Sequence, residues 1–177
     1  MRSLARILFV LGTLVAVVPA TRVWAENADA QYKQGLAYKQ QGKTEEAIAS
    51  LEKAVAANPK HGMAWSSLGN LYKAKGDLPK AVNAYEMATA VIKKDKVLWA
   101  NLGMAYYRAD KIDKALEALI TASKLAPKDA EIRGNLGTVR RKKGDTAGAI
   151  VDLEMATKLK PDDASYWNNL GVAYRTA

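Results

Sequence analysis

The pattern of apolar positions first becomes regular around Trp65, where it has the spacing of one face of an α-helix. Leu68 follows Trp65 after three residues, Tyr72 follows Leu68 after four, and Gly69 lies beside Leu68. Side chains at these intervals lie on the same side of a helix. Gly76 is typical of a helix end, and a second apolar series begins after it. The pattern therefore predicts two antiparallel helices joined by a tight turn.

This pair of helices recurs along the chain with a period of 34 residues. Glycines mark the first helix of each unit at Gly35, Gly69, Gly103, Gly137 and Gly171. The second helices carry two columns of alanine with a larger residue between them: Ala47, Leu51, Ala54; Ala81, Tyr85, Ala88; Ala115, Leu119, Ala122; Ala149, Leu153, Ala156. Small residues let helices approach closely, and larger ones fill the gaps. Because each unit can bury its apolar faces only against its neighbours, we predict a solenoid.

These columns resemble the tetratricopeptide repeat (TPR) family. The resemblance rests on the W-x-x-L-G-x-x-Y run from Trp65 to Tyr72, the paired alanines and the prolines that close three units, Pro59, Pro127 and Pro161. It implies an all-α fold, a right-handed superhelical solenoid of antiparallel helix pairs. Four full repeats are expected at residues 28–61, 62–95, 96–129 and 130–163, followed by the first helix of a fifth at residues 164–177.

Several positions depart from the family pattern. Gln31 and Arg133 stand in the tryptophan column, Arg140 in the tyrosine column, Lys93 in the proline column and Asp110 in the column of turn glycines. The two arginines make the first helix of unit four more polar than its counterparts. They predict either looser packing in that unit or a local contact with an acidic group.

The first 25 residues do not follow the repeat. Arg2 and Arg6 precede an uncharged, mostly apolar stretch at residues 7–18, and Val23-Trp24-Ala25 presents small residues at the two positions that a signal peptidase reads. The apolar run is about a dozen residues, whereas a stable membrane-spanning helix needs roughly 20. We therefore predict a signal peptide at residues 1–25, cleavage after Ala25, and an exported, periplasmic TPR domain at 26–177. An uncleaved N-terminal membrane anchor is the alternative.

The amino-acid composition excludes most kinds of catalytic and metal site. The chain has no cysteine and a single histidine, His61, which excludes disulfides, thiolate zinc sites, cysteine nucleophiles and metal sites built on histidine pairs. Glu45 and Glu46 stand at the start of a predicted helix, where acids suit the helix dipole. We therefore predict a protein that is not an enzyme, with no metal and no cofactor. Cleavage would remove three cations and no acid, so the formal charge falls from +9 to +6, which favours acidic partners.

The TPR resemblance implies that the first helices line a concave groove that receives a peptide or helix of a partner. Polar residues with amide or hydroxyl groups occupy the corresponding positions: Ser66, Asn70, Asn101, Asn135, Asn168 and Asn169. Asparagine offers both a donor and an acceptor, so a column of them can pair with the backbone of an extended peptide. The alternative is that asparagine is merely tolerated on a solvated helix surface.

Cations follow near the ends of the same helices. The predicted groove includes Lys73, Arg108 and Arg141, and the wider basic series also contains Lys39, Lys142 and Arg175. They predict a basic edge that suits an acidic ligand. A purely local explanation is also open, because a cation near a helix C-terminus is favourable by roughly 0.3–1 kcal/mol.

One known groove chemistry, the carboxylate clamp of TPR co-chaperones, does not fit. Asn70 and Asn101 match its pattern, but Ser66, Glu131 and Asn135 occupy places where the clamp has lysine, lysine and arginine. We therefore do not expect a chaperone-tail clamp. RNA binding is also not expected, because the 34-residue TPR pattern and the export signal both argue against it.

The sequence thus predicts an exported scaffold or adaptor that binds a partner protein or peptide, with no nucleic acid partner and no stable membrane span after cleavage. Two alternatives stay open. The protein could form homo-oligomers as a structural module through the C-terminal helix, in which Trp167, Gly171 and Tyr174 have no following second helix to cover them. That helix could equally be a cap, or the sequence a fragment of a longer array. The protein could also be an accessory subunit of an envelope assembly or secretion complex.

Overall fold

The computed structural model describes residues 20–177, which form nine α-helices and no strand. In chain order they are α1 (Ala20–Gln40), α2 (Thr44–Ala57), α3 (Gly62–Lys75), α4 (Leu78–Val91), α5 (Lys96–Arg108), α6 (Ile112–Leu125), α7 (Ala130–Lys143), α8 (Thr146–Leu159) and α9 (Ala164–Arg175). Each odd-numbered helix packs against the even-numbered helix that follows it, and each even-numbered helix also packs against the next odd-numbered one. The predicted all-α solenoid of antiparallel helix pairs is confirmed.

The glycine column is a contact surface between the two helices of each unit. A methyl group added at Gly69 would lie 2.6 Å from the ring of Tyr85, and one at Gly103 would lie 2.6 Å from Cγ of Leu119. Tyr85 and Leu119 are fully buried. The backbone of each first helix therefore directly receives the large residue of its second helix, as the columns predict.

The turns inside the units use the left-handed backbone region. Gly42, Gly76 and Gly144 have φ angles of +74°, +80° and +89°, which glycine adopts without the steric penalty that a Cβ brings. Unit three has Asp110 at the same position, with a φ of 56°. The turn therefore keeps its shape in all four units, although in unit three an aspartate carries the strain.

Unit four contains a buried ionic cluster, defined by Arg133, Arg140 and Asp152. The carboxylate of Asp152 is almost completely buried, and its Oδ1 and Oδ2 atoms lie 2.9 Å from Arg133 and 3.0 Å from Arg140. Asp152 stands where units two and three have Ala84 and Ala118. Of the two predictions for the arginines, the local acidic contact is therefore confirmed.

Arg133 also reproduces a backbone contact of the tryptophan that it replaces. Its Nε atom donates a hydrogen bond to the carbonyl oxygen of Pro127 at 3.1 Å, and the indole of Trp65 donates to Pro59 at 2.9 Å. The guanidinium group is long enough to keep this bond and to reach Asp152 as well. Arg133 is thus a polar substitute for tryptophan that preserves the junction between units three and four.

At the two ends of the array lie the predicted signal peptide and the last helix, α9. The predicted signal peptide lies outside the described residues except for its last six positions, 20–25, which belong to α1. Within residues 20–177 no helix is long and apolar enough to cross a membrane. At the other end, Trp167 and Tyr174 of α9 are each 52% exposed, and no atom lies within 4 Å of a methyl group placed at Gly171.

Candidate functional site

The predicted groove residues lie on α3, α5, α7 and α9, the first helices of units two to five. Asn101, Asn135 and Asn169 occupy the same position in successive units because they are 34 residues apart. Asn101 and Asn135 line one small pocket between α5 and α7. Ser66 and Asn169 are half-buried and Asn168 is exposed, and none of these three side chains has a hydrogen bond within the described chain.

The amide of Asn70 is oriented by the second helix of its own unit. The hydroxyl of Tyr85 donates a hydrogen bond to Oδ1 of Asn70 at 2.8 Å. Burial raises the pKa of Tyr85 to about 12, against the opposing effect of Arg108, so the hydroxyl stays protonated and acts as a donor at neutral pH. The acceptor half of Asn70 is therefore used inside the protein, and its NH₂ group remains available for a ligand.

Lys73 connects units two and three across the same surface. Its Nζ atom donates a hydrogen bond to Oδ1 of Asn101 at 3.1 Å and lies 6.0 Å from the centre of the Tyr85 ring. Burial is the main cause that lowers the pKa of Lys73, repulsion from Arg108 adds to it, and Glu131 opposes both. Lys73 is thus a half-buried cation that fixes the orientation of a second groove amide.

The pocket between α5 and α7 combines these amides with an apolar wall. It has a volume of about 70 Å³, and it is lined by the apolar side chains of Val97, Ala100, Met104 and Ile132, the amides of Asn101 and Asn135, and the carboxylates of Asp129 and Glu131. The apolar wall was not predicted, although Met104 occupies the position of Asn70 one unit later and could have been found from that register.

The cations of the predicted basic edge differ in exposure and in whether they pair with a carboxylate. Lys142 pairs with Asp110, with 3.7 Å between their charged atoms, and it is exposed. Arg108 is exposed and Arg141 is half-buried, and neither forms an ion pair with any described residue. The Nε atom of Arg141 is buried and has no hydrogen-bond partner in the described part of the chain. Lys39 and Arg175 are exposed near the two ends of the array.

A larger pocket of about 400 Å³ opens on another face of α3. Its lining includes Trp65, Leu68, Tyr72, Val55, Lys80 and Asn83. The hydroxyl of Tyr72 donates to Glu52 at 2.5 Å, and burial and this carboxylate both raise the pKa of Tyr72 above its usual range. The pocket therefore lies within the contact between units one and two, away from the amides and cations of the groove.

Other chemistry is not supported by the described residues. Between residues 20 and 177, no three histidine, aspartate or glutamate side chains lie close enough together to hold a metal ion. His61 has a structural role instead: its Nδ1 atom accepts a hydrogen bond from the amide of Ala64 at the start of α3, and its Nε2 atom lies 3.1 Å from Asp29.

The repeating helix pairs, the glycine contacts and the amide-lined first helices together define a tetratricopeptide-repeat protein. In sequence, the family model described as the cilia and flagella-associated protein 70 C-terminal domain matches residues 11–177. The chain therefore belongs to this family. No curated protein matches the sequence.

Several solved structures share the fold. The crystal structure of MamA has a TM-score of 0.81 and 23% identity over 85% of this chain and 82% of that chain. YrrB, described as a TPR protein with an unusual peptide-binding site, has a TM-score of 0.78 and 24% identity over 88% of this chain and 81% of that chain. PilF of Pseudomonas aeruginosa has a TM-score of 0.70 and 25% identity over 86% of this chain and 70% of that chain.

Proposed function

We propose that this chain is an exported, non-catalytic scaffold that binds a peptide or helix of a partner protein in the concave groove formed by its first helices. The observation that carries the proposal is the state of the groove amides. Tyr85 and Lys73 occupy the side-chain oxygens of Asn70 and Asn101, which leaves both NH₂ groups as donors. Such donors match the backbone carbonyls of an extended chain, whatever its sequence.

The fold supports the same proposal. TPR arrays typically act as non-enzymatic scaffolds. YrrB, which shares the fold, has a peptide-binding site. Export is supported by the sequence features before Ala25, and we place the mature protein in the periplasm. An accessory subunit of an envelope assembly or secretion complex would use the same groove, so this alternative differs only in the identity of the partner.

The double substitution Asn101→Ala and Asn135→Ala is expected to weaken capture of groove partners about tenfold. It removes two amides that line one pocket, and a hydrogen bond contributes about 0.5–1.5 kcal/mol, so two of them account for about one order of magnitude in affinity. The measurement is quantitative capture from the exported fraction of the native host after crosslinking, with mass spectrometry of the bound proteins.

Asn83→Ala is the matched control, because this asparagine lines the larger pocket on the other face of α3. It should leave capture unchanged, and thermal unfolding should show that both proteins are folded. Recovery of the same partners in the same yield by the double variant and by wild type would refute the groove as the binding site.

Self-association through α9 is a second candidate, and one observation favours it. Every described glycine column position from Gly35 to Gly137 is filled by a side chain of a second helix, whereas the equivalent space at Gly171 is open and Trp167 beside it is half exposed. A second copy could place a large side chain there. Under this hypothesis α9 is a contact surface and the groove is secondary.

Light scattering tests this candidate. If the chain self-associates, the measured mass should exceed that of one chain and should rise with protein concentration. Trp167→Ala should return the protein to a monomer. Met63→Ala is the control, since Met63 has the same 52% exposure as Trp167 but lies on α3. A protein that is monomeric at every concentration would eliminate self-association.

A further inference from the structure

We propose that α9 is one half of a two-fold dimer, in which two copies of this helix pack antiparallel and Trp167 of each copy fills the space at Gly171 of the other. The inference rests on the self-association candidate of the proposed function, and it adds the symmetry, the register and the contacting pairs. The surface concerned is called the open face of α9 and is formed by Ala164, Trp167, Gly171 and Tyr174.

The open face occupies the place where a complete unit packs its second helix. In unit two, Gly69 lies against Tyr85 of α4, and an added methyl group would be 2.6 Å from the ring. Gly171 is the counterpart of Gly69 three units later. No atom of the described chain lies within 4 Å of a methyl group at Gly171. The surface that Tyr85 covers in unit two is therefore free on α9.

Tyr174 shows how much apolar surface is left uncovered. Its hydroxyl donates to Glu154, just as the hydroxyl of Tyr72 donates to Glu52, so the two tyrosines are held in the same way. Tyr72 is 7% exposed and has Lys80 of α4 5.3 Å from the centre of its ring, whereas Tyr174 is 52% exposed. A helix packed on the open face would bury this difference, and burial of apolar surface favours association.

The open face is complementary to itself. Trp167 is 52% exposed, and its indole is held by a 2.8 Å hydrogen bond to the carbonyl oxygen of Pro161, so a large side chain is fixed in place before any partner arrives. Gly171 follows one helical turn later and leaves a space. A two-fold axis across an antiparallel pair exchanges these positions, so each indole meets the glycine of the other copy. A second copy is therefore the occupant that fits.

The complete units show how such a pair of helices is aligned. Gly69 lies against Tyr85, and Gly62 lies against Ile92, the residue that follows α4. A step of seven residues towards the start of α3 thus corresponds to a step of seven residues towards the end of α4. Residues of antiparallel helices pair in opposite order, so one contact between the two copies of α9 fixes all the others.

The resulting register pairs large side chains with small ones. When Trp167 is opposite Gly171, Ala164 lies at the level of Tyr174, because each is three residues further along its helix in opposite directions. Large residues packed against small ones also form the contact between the first and second helices of each unit. The two-fold axis repeats both contacts, so each of them forms twice.

The charges at the two ends of α9 favour the antiparallel direction. Asp162 and Asp163 stand before the first residue of the helix, and Arg175 is its last residue. The antiparallel register brings the acidic end of one copy beside the basic end of the other, whereas a parallel pair would bring like charges together. Asp163 also lies 3.4 Å from Lys160 of its own chain. The charges at this rim therefore select the direction of packing more than they add to its strength.

The dimer leaves the groove of each copy free. Asn169 is the residue of α9 in the column of groove amides, and it lies two positions from both Trp167 and Gly171. Two positions correspond to about 200° around a helix, so the groove and the open face are on opposite sides of α9. The dimer is therefore a scaffold with two grooves, which would hold a partner with two binding segments more tightly than one chain does.

The first test is the mass of the purified chain by sedimentation equilibrium. A single helix pair is smaller than the roughly 1,200–2,000 Å² of a stable interface, so the mass should rise with concentration. It should level off at two chains, because both copies use the same face. Growth beyond two chains would refute the two-fold arrangement. A monomer at every concentration would refute self-association as well and leave the open face to a helix of another protein.

A pair of leucine substitutions tests the space at Gly171. Gly171→Leu fills it with a good helix former and should raise the dissociation constant of the dimer at least tenfold. Ser165→Leu is the control on the same helix, since Met63 and Val97 occupy the corresponding position in units two and three. It should change the constant less than twofold. Circular dichroism should show both variants folded, and equal effects of the two would refute the contact at Gly171.

Crosslinking tests the register. The chain has no cysteine, so each copy can be given one. Ala164→Cys and Tyr174→Cys chains of different tag length should form a mixed disulfide under mild oxidation. Ala164→Cys alone should not, because its two copies lie about 15 Å apart along the helix axis and a disulfide needs Cα atoms within about 7 Å. A dimer without the mixed product would overturn the register but leave self-association in place.

Two further variants separate this interface from general charge and from the groove. Arg175→Glu should weaken the dimer at least threefold, and Lys158→Glu, the same change in the last turn of α8, less than twofold. Equal losses would show that net charge, not the ends of α9, governs association. Asn101→Ala with Asn135→Ala should leave the dimer intact. Loss of the dimer in that variant would place the interface in the groove and refute the α9 contact.

Discussion

Replacement of Asp152 by alanine is expected to lower the free energy of unfolding by about 3–5 kcal/mol, the range for breaking a buried ion pair from one side. Asp152 is buried, and its carboxylate lies between Arg133 and Arg140, whose side chains are only 25% and 27% exposed. Without it, two cations would remain at positions that are aromatic in units two and three. The midpoint of urea unfolding, followed by circular dichroism, measures the change.

The chain provides its own control for this experiment. Units two and three have tryptophan, tyrosine and alanine at the three positions, so Arg133→Trp, Arg140→Tyr and Asp152→Ala together convert the cluster into the apolar form. We expect this triple variant to be at least as stable as wild type, because apolar replacement of a buried ionic cluster is often neutral or stabilising. An unchanged midpoint for Asp152→Ala alone would show that the arginines need no counter-charge.

Substitution of one glycine column member by alanine is expected to destabilise at one position and to stabilise at another. At Gly103 the new methyl group would lie 2.6 Å from Leu119 and 3.2 Å from the carbonyl oxygen of Ala115, so α5 and α6 must separate, at a cost of about 1–3 kcal/mol. At Gly171 nothing lies within 4 Å, and the higher helix propensity of alanine adds about 0.8–1 kcal/mol.

Thermal unfolding of Gly103→Ala and Gly171→Ala gives this comparison directly. The first variant should melt below wild type and the second at or above it. Because the chemical change is identical, a helix-propensity effect alone would move both in the same direction. Parallel shifts would therefore mean that the close approach of α5 and α6 does not constrain this column.

The fold could be predicted from the sequence because its signals repeat. The contact between Gly69 and Tyr85 follows from a period that brings a small and a large residue together in every unit. Because the pattern occurs four times, a chance arrangement of residues does not account for it. Asp110 is a second example. Its place in a column of turn glycines indicates a left-handed backbone, and its φ angle is 56°.

For the candidate groove, the sequence predicts which positions carry amides and cations but not which groups their side chains contact. Asn70 and Asn101 were expected to offer donor and acceptor alike, but their oxygens are engaged by Tyr85 and Lys73. Those contacts depend on how far a tyrosine hydroxyl or a lysine amine reaches across a helix interface. An alignment of repeat columns contains no information on that distance. Asp152 was missed for the same reason, since its arginine partners lie 19 and 12 residues earlier on the facing helix.

The substitution of Arg133 for tryptophan also has an optical consequence. If the segment before Ala25 is removed, three indoles remain, Trp65 and Trp99 within the array and Trp167 on the open face of α9. Unit four then contributes no indole emission. Quenching by iodide therefore reports mainly on Trp167, and a blue shift of its emission would signal that α9 has been covered. The protein thus carries an intrinsic fluorescent reporter at one end of the solenoid, separate from the groove.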